Sequence, residues 1–548
     1  MKINNIIRHN ILLATCIMFV SNMMAQDLQK DVTVVKSYQP TIQDAPKINQ
    51  MPVFKDTSSV APTFEYSIIP QRLNIPFLPR PVNAAKVVPE PLKNLYSSFV
   101  KLGFGYPITP LAEINVSNLR SRENNYGIYL KHYSANGSVT MTDKNEVKAP
   151  FSENTINAYG KHIYKESELS GNIGYSNNSV NYYGYNVALG IPNKDSIKDQ
   201  LFQRFAMNTR LESLNTDSAK LYYLHQAGFN YIKDSYEKSE NNLNLQTYVG
   251  KKTGEFYFGG TALLNYYSAM GFRDTASNTV FAIKPRFGKA KGDWRFDIGI
   301  DGHITSSGFY SFPYVWFEFA IVPTVLRAYM GYDGEVLQNT MASVTNQNPY
   351  VYLDSVPKNT ILNNHIYGGL KGSFSENVNF IANVSYSKFN DYLMFVNDSV
   401  TLLRNQFQTV LGNVEKLQLT AGFDIMANEK LKIEIKSEYN WYTVSHVAQA
   451  WHLPGFIGTA SVKYNLRDKI MVSGDICFMG KRYAKAPITN KEIELSSFID
   501  VNMGVEYRYT KVLSFFTQIR NMTASNYVWW NQYPAYRFQM MVGLTYAL

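Results

Sequence analysis

The chain closes on YRFQMMVGLTYAL, residues 536–548, and this stretch decides how the rest is read. Phe538, Met540, Val542, Leu544, Tyr546 and Leu548 fall on one side of an extended chain; Arg537, Gln539, Met541, Gly543, Thr545 and Ala547 fall on the other. A period of two marks a strand. One alternating strand is equally at home in a soluble sheet, so the neighbouring sequence has to say what the apolar side faces.

Moving back along the chain, the pattern repeats. In FIDVNMGVEYRY, Ile499, Val501, Met503, Val505, Tyr507 and Tyr509 oppose Asp500, Asn502, Gly504, Glu506 and Arg508. LKIEIKSEYNW sets Leu431, Ile433, Ile435, Tyr439 and Trp441 against Lys432, Glu434, Lys436, Glu438 and Asn440, and WRFDIGID does the same from Trp294 to Asp301. A soluble sandwich also alternates. Three features point instead to strands crossing a membrane. The alternation is sustained over about 9 to 12 residues, the length of a tilted crossing. Aromatic residues gather near strand ends, as at Tyr439 and Trp441 or Tyr507 and Tyr509, where interfacial girdles lie. The chain also begins with an export signal, described next.

MKINNIIRHNILLATCIMFVSNMMAQD has a basic leader (Lys2, Arg8), an apolar core over 11–20 and a small residue, Ala25, before Gln26. It reads as a signal peptide spanning 1–25. A lipoprotein-type cut before Cys16 is the poorer reading, because Thr15 suits it badly and apolar sequence would be left unused behind it. The one other cysteine is Cys477, so the exported chain has no internal disulfide. Beyond the leader no apolar run approaches the roughly 20 residues of a spanning helix. Net charge is +10, but basic and acidic residues are interleaved along the chain, which argues for solvated faces and against nucleic-acid binding. Residues 26–95 differ in kind: ten of the 22 prolines lie between Pro40 and Pro91. Proline at this density breaks both helices and sheet ladders, so an extended Pro-rich segment is expected.

The sequence therefore predicts an all-β protein: a transmembrane antiparallel β-barrel of about 22 strands (range 18–24) over 96–548, preceded by the Pro-rich segment. Both chain ends are expected at the periplasmic end of a barrel in the outer membrane of a Gram-negative bacterium, among lipid and lipopolysaccharide. The longer connections (134–151, 176–200, 330–361, 441–455 and 481–496) are then external. Their aromatics, Tyr182, Tyr183, Tyr185, Trp451 and Tyr483, are candidate external ligand contacts, with interfacial anchoring as the alternative. NMTASNYVWWNQYP (521–534) is a further external turn, with Trp529 and Trp530 expected at the outer interface or rim.

The last fifty residues resemble the C-terminal end of TonB-dependent outer-membrane receptors. In that family a strand ends in Asn-Leu, a short loop leads to Tyr and Tyr-Pro, and a final alternating strand ends in an aromatic. Asn521-Met522, Tyr527 and Tyr533-Pro534 stand in those places, with Leu548 at the terminus. GNVEKLQLTAGFDI (412–425) resembles an internal stretch of such barrels. In KDVTVVKSYQP the residues Val32, Thr33, Val34 and Val35 are similar to the box these receptors offer to TonB. The resemblance implies a 22-stranded barrel, transport of a bulky nutrient, and TonB or another periplasmic or outer-membrane protein as partner. The family's folded plug has no counterpart, since about 70 residues rich in proline cannot form one; residues 26–95 are at most a reduced plug.

No enzyme is expected. The eight histidines (His9, His132, His162, His225, His303, His365, His446 and His452) lack paired metal-ligand spacing, and there is neither a nucleophile elbow nor a phosphate loop, so no cofactor or metal is predicted. Three functions remain open: a receptor-like transporter, a non-enzymatic accessory barrel in an outer-membrane assembly, and a passive channel. An empty barrel of this size leaves a wide aqueous hole, so something must fill or close it; the Pro-rich segment over 36–94, inside or across the periplasmic mouth, is expected to occlude it at least in part, with a periplasmic partner as the competing occupant.

Overall fold

The computed structural model describes residues 96–548, apart from 119–120, 122, 186–198, 215–220, 274–275 and 400. The leader, the Pro-rich segment and Val32–Val35 lie outside the described residues. The chain divides into Met1–Phe64 and Glu65–Leu548, and all that follows concerns the second unit.

Twenty-two antiparallel strands form a single sheet. Each pairs with its sequence neighbour in the wall. The sheet closes where the first strand, Ser98–Tyr106, pairs with the last, Gln539–Ala547, in the register Phe99↔Ala547 to Tyr106↔Met540. Closure removes the unpaired edges that an open sheet would carry. Among the described residues every strand of seven or more residues is a stave of this wall, and no helix is long and apolar enough to cross a membrane.

The question raised by the C-terminal stretch is answered by orientation. Phe538, Met540, Val542, Tyr546 and Leu548 are exposed on the outside, with Val542 at 50%. Ile298, Ile300, Ile435, Tyr439, Trp441, Ile499 and Met503 are likewise exposed on their own staves. The wall thus has its apolar face outward and its charged face inward, the inverse of a soluble protein and the arrangement of a barrel surrounded by lipid.

Inward residues pair across the lumen face. Arg286 meets Asp301 at 2.5 Å, Lys284 meets Glu335 at 2.8 Å, and Glu318 holds both Arg327 at 2.6 Å and Lys371 at 2.5 Å. On the stave Leu431–Ser445, Glu434 pairs with Lys436, and Glu438 reaches Lys416 on the neighbouring strand at 3.6 Å. These charges belong to a paired lumen wall.

The two ends differ. At the end holding Ser98 and Leu548, staves are joined by tight turns; Gly254 and Gly292 supply the positive φ (61° and 55°) that two-residue hairpins require. At the opposite end most connections are longer, and the five segments expected to be external join staves there. Staves run from 7 to 22 residues, a wider range than the 9 to 12 expected, because some ladders continue past the wall. Leu393, Phe395 and Phe407, at the upper ends of Val378–Asn397 and Phe407–Asn428, are buried in the cluster formed by the connections.

Candidate functional site: the loop cap and the cavity beneath it

The long connections interlock over the end of the barrel opposite Ser98 and Leu548, the end the sequence reading expects outside, and the segment between Arg520 and Gln539 is their keystone. Its fold starts at Asn521, whose Oδ1 accepts from the Ser525 N–H (3.0 Å) while its Nδ2 donates to the carbonyls of Ser525 and Tyr536. A small hairpin, Val528–Trp530 against Tyr533–Pro534, then turns through Gln532 at φ 70° and presents Tyr533 to the other loops.

Tyr533 is almost fully buried. Its ring stacks on Tyr350 at 3.7 Å and meets the edge of Tyr183 at 4.9 Å, and its hydroxyl donates to the Asn405 carbonyl. Tyr183 donates to the Pro534 carbonyl at 2.8 Å. Asn531 donates to Asn397 Oδ1 at 2.8 Å, Tyr536 to the Ala149 carbonyl, and Asn526 to the Thr140 carbonyl at 3.2 Å. One segment therefore ties down four other connections. Around it Val139, Met141, Phe272, Val344, Leu353 and Leu403 complete an apolar cluster. A short helix, Met341–Gln347, capped by Thr340, enters this cluster, and Glu240 accepts from its Met341 N–H at 2.6 Å.

Basic side chains are enclosed as well, Arg482 and His452 among them. Arg482, 2% exposed, donates to the carbonyls of Trp529 (2.7 Å) and Val528 (2.8 Å), and burial pulls its guanidinium down to about 10. His452 lies between Phe407 and Trp530 and donates from Nδ1 to the Phe395 carbonyl at 3.0 Å, while Nε2 faces the Asn531 N–H at 3.4 Å. Burial pushes its imidazole down to about 4, so it is neutral. The phenols of Tyr183 and Tyr533 are driven up by the same desolvation, and that of Tyr350 to about 12.

Under this roof is a cavity of about 520 Å³. Tyr183, Tyr350, Trp530, Tyr533 and Tyr536 line it from the cap; Phe151, Glu153, Asn178, Phe202, Arg204 and Gln539 line it from the wall. A second cavity of about 340 Å³ shares Tyr527 and Gln539 with the first and carries Asp475, Asp500, Asn502 and Arg520. Rings above and mixed polar groups below suit an elongated ligand with apolar faces and hydrogen-bonding edges.

All five aromatics singled out in the sequence belong to the cap, but as packing. Tyr182 and Tyr185 are each 1% exposed, Tyr183 and Trp451 are buried, and Tyr483 is half-buried. The Tyr182 carbonyl accepts from Asn405 at 2.6 Å, Tyr185 donates to Asp143 at 2.6 Å, and Trp451 packs with Val396, Val414 and Tyr483. Tyr183 is the one of the five that lines the larger cavity. Their faces are covered by protein here, so contact with an external ligand would require the cap to part. Trp530 is also inside the cap rather than at the rim, because Phe395, Phe407 and His452 surround it. Sequence reading missed Tyr350, Arg482 and the keystone role of Tyr533; the one available signal was the density of Tyr and Trp in the longest connections. Among the described residues no group of three His, Cys, Asp or Glu is placed to hold a metal ion.

No family model and no curated protein sequence matches the chain. Solved structures do. The ferric-catecholate import receptor Fiu of E. coli K12 superimposes with a TM-score of 0.63 at 10% identity, over 83% of this chain and 82% of its own. The siderophore receptor PirA of Acinetobacter baumannii gives 0.62 at 10% identity (84% and 81%), and the copper transporter OprC gives 0.61 at 11% (82% and 80%). At these identities the likeness is one of fold: the same large closed barrel.

Proposed function

We propose that this chain is an outer-membrane transport barrel for a bulky nutrient, gated at its outer end by the loop cap. The observation that carries the reading is the cavity: a ring-lined space of about 520 Å³ at the outer end of a charged lumen, separated from the exterior by a roof of interlocked loops. The barrel type is that of a ferric-catecholate import receptor, a siderophore receptor and a copper transporter, which supports uptake as the class of activity without naming the cargo. In this reading the cap parts to admit a ligand, Tyr183, Tyr350 and Tyr533 become its contacts, and Val32, Thr33, Val34 and Val35 offer TonB the handle that couples energy to release. Lipid and lipopolysaccharide surround the wall. Growth of a deletion strain on limiting ferric chelates, copper and glycans, supplied one at a time, tests it. The reading requires that at least one fails, that the intact gene restores it, and that the same gene with Val32→Pro and Val34→Pro does not.

A second reading, an accessory barrel in an outer-membrane assembly, is favoured by one observation: the aromatics of the long connections are spent on packing the cap. In that case no nutrient defect appears and the barrel purifies with a stoichiometric partner.

A further inference from the structure

We propose that the wall has a side portal between the staves Gly308–Val322 and Leu326–Leu337, bolted by Phe312, and that it takes a single-chain amphiphile with an apolar tail and a carboxyl or hydroxyl head. The portal shares no lining residue with the cavity beneath the cap and stands whichever function that cavity serves.

The first observation is a gap in the ladder. The two staves pair from Val322↔Leu326 up to Val315↔Tyr332 and no further, although both continue. Above that level Gly308–Tyr314 pairs only with Trp294–Thr305, and Asp333–Leu337 only with Thr360–Ser375. The sequence accounts for the break. Continued register would set Pro313 opposite Gly334; proline has no N–H to give a ladder, and Gly334 sits in the register shift between Asp333 and Glu335 that turns its strand aside.

Side chains close the gap. Phe309, Ser311 and Pro313 are exposed on the outside, while Phe312 is buried on the lumen side with its ring against Gly334, where an added Cβ would lie 2.6 Å from it. Val280, Val336 and Ile361 pack around the ring, and Lys284 reaches from the stave Ala276–Lys291 to Glu335 at 2.8 Å. These contacts can part without breaking a ladder hydrogen bond.

Depth supplies the second observation. Trp294 and Ile304 lie ten steps apart on one outward face; at about 3.3 Å per step and a tilt of about 40° this is about 25 Å, the height of an apolar band. Pro313 pairs with Ile300 and Phe309 with Ile304, so the gap occupies the outer half of that band. Its outward rim, Ile300, Ile304, Phe309 (68% exposed) and Leu337, is apolar and suits an acyl chain.

The third observation is His303. It is 2% exposed, edge-on to Phe312 with ring centroids 5.7 Å apart, and neither ring nitrogen has a hydrogen-bond partner. Buried polar groups are ordinarily paired. Behind the bolt, this imidazole can donate to or accept from the head of a molecule whose tail lies in the gap. Lys284 already pairs with Glu335 and lies 3.8 Å from Asp301, so the surroundings favour a small hydrogen-bonding head over a multiply charged one.

Thiol labelling of the full mature chain in lipid vesicles tests this, in a Cys477→Ser background. Val336→Cys, behind the bolt, should react with a maleimide carried on a C16 chain dissolved in the bilayer, and Phe312→Ala should raise that rate about tenfold. Ser387→Cys, which is buried on a stave paired on both sides at that position, should not react with this reagent, with or without Phe312→Ala. Hexadecanoate or hexadecanol should protect Val336→Cys saturably, and His303→Phe should weaken the protection. Heat-modifiable migration confirms that each variant folds. A Val336→Cys rate no higher than that of Ser387→Cys, and unchanged by Phe312→Ala, overturns the portal; absence of protection by both amphiphiles overturns the ligand assignment. Nutrient uptake is measured in neither arm, so failure here is separable from failure of the transport reading.

Discussion

Replacing Tyr533 by Ala should open the cap while leaving the barrel wall intact. The side chain is 2% exposed, and truncating a buried aromatic costs about 3–5 kcal/mol. Contacts at the site account for a cost of that size: ring pairs with Tyr350 and Tyr183 contribute about 0.5–1.5 kcal/mol each beyond burial, and the lost hydroxyl leaves the Asn405 carbonyl unpaired at about 1–3 kcal/mol. Because the keystone ties down connections from distant parts of the chain, the loss should appear as cooperative local opening. Amide hydrogen exchange reads this directly. Protection over 341–353, 401–406 and 482–495 should fall by between about one hundred and five thousand-fold, while the stave Leu431–Ser445 keeps its protection. Tyr533→Phe should give the smaller part, about 1–3 kcal/mol. If exchange rises only within 521–538 and the other connections are unaffected, the cap is not held by this keystone.

Three further outcomes follow from the same geometry. The His452 imidazole, held near 4 against an ordinary 6.5, contributes fully above about pH 6.5 and loses its contribution as pH falls toward 4; at pH 5 the cap should be weaker by about 2 kcal/mol, seen as faster loop exchange that His452→Phe no longer couples to pH. Arg482→Ala strands the Val528 and Trp529 carbonyls and should cost about 2–4 kcal/mol in cap protection; Arg482→Lys should recover only part, since one ammonium lacks the guanidinium fork. On the wall, Val542→Arg faces lipid and should destabilise by about 2–4 kcal/mol near mid-membrane, whereas Thr545→Arg faces the lumen and should be tolerated, both checked by heat-modifiable migration and urea unfolding.

The wall was legible in the sequence because its rule is local. At Ile435 an apolar residue between Glu434 and Lys436 is enough to assign the outward face, and the recurrence of such alternation from stave to stave leaves one architecture. The cap was not legible, because its contacts join residues far apart in the chain: Tyr183 meets Pro534 across 351 positions and Tyr533 meets Asn405 across 128. A Tyr beside Asn and Gly looks the same in sequence whether it anchors at an interface, awaits a ligand or packs a roof. The expectation that the Pro-rich segment must close the barrel started from a barrel open at its outer end. The cap supplies a closure there, and the segment itself lies outside the described residues.

Closure of the outer end by the chain's own loops is the central claim, and labelling intact cells with a bulky, membrane-impermeant maleimide tests it most directly. In a Cys477→Ser background, Leu402→Cys and Ile488→Cys, which replace the exposed residues Leu402 (78%) and Ile488 (47%) of the cap, should react from outside, and Asn178→Cys in the cavity should not. Adding Tyr533→Ala should make Asn178→Cys reactive. Labelling of Asn178→Cys from outside with Tyr533 intact, at a rate like that of Leu402→Cys, would contradict a closed cap.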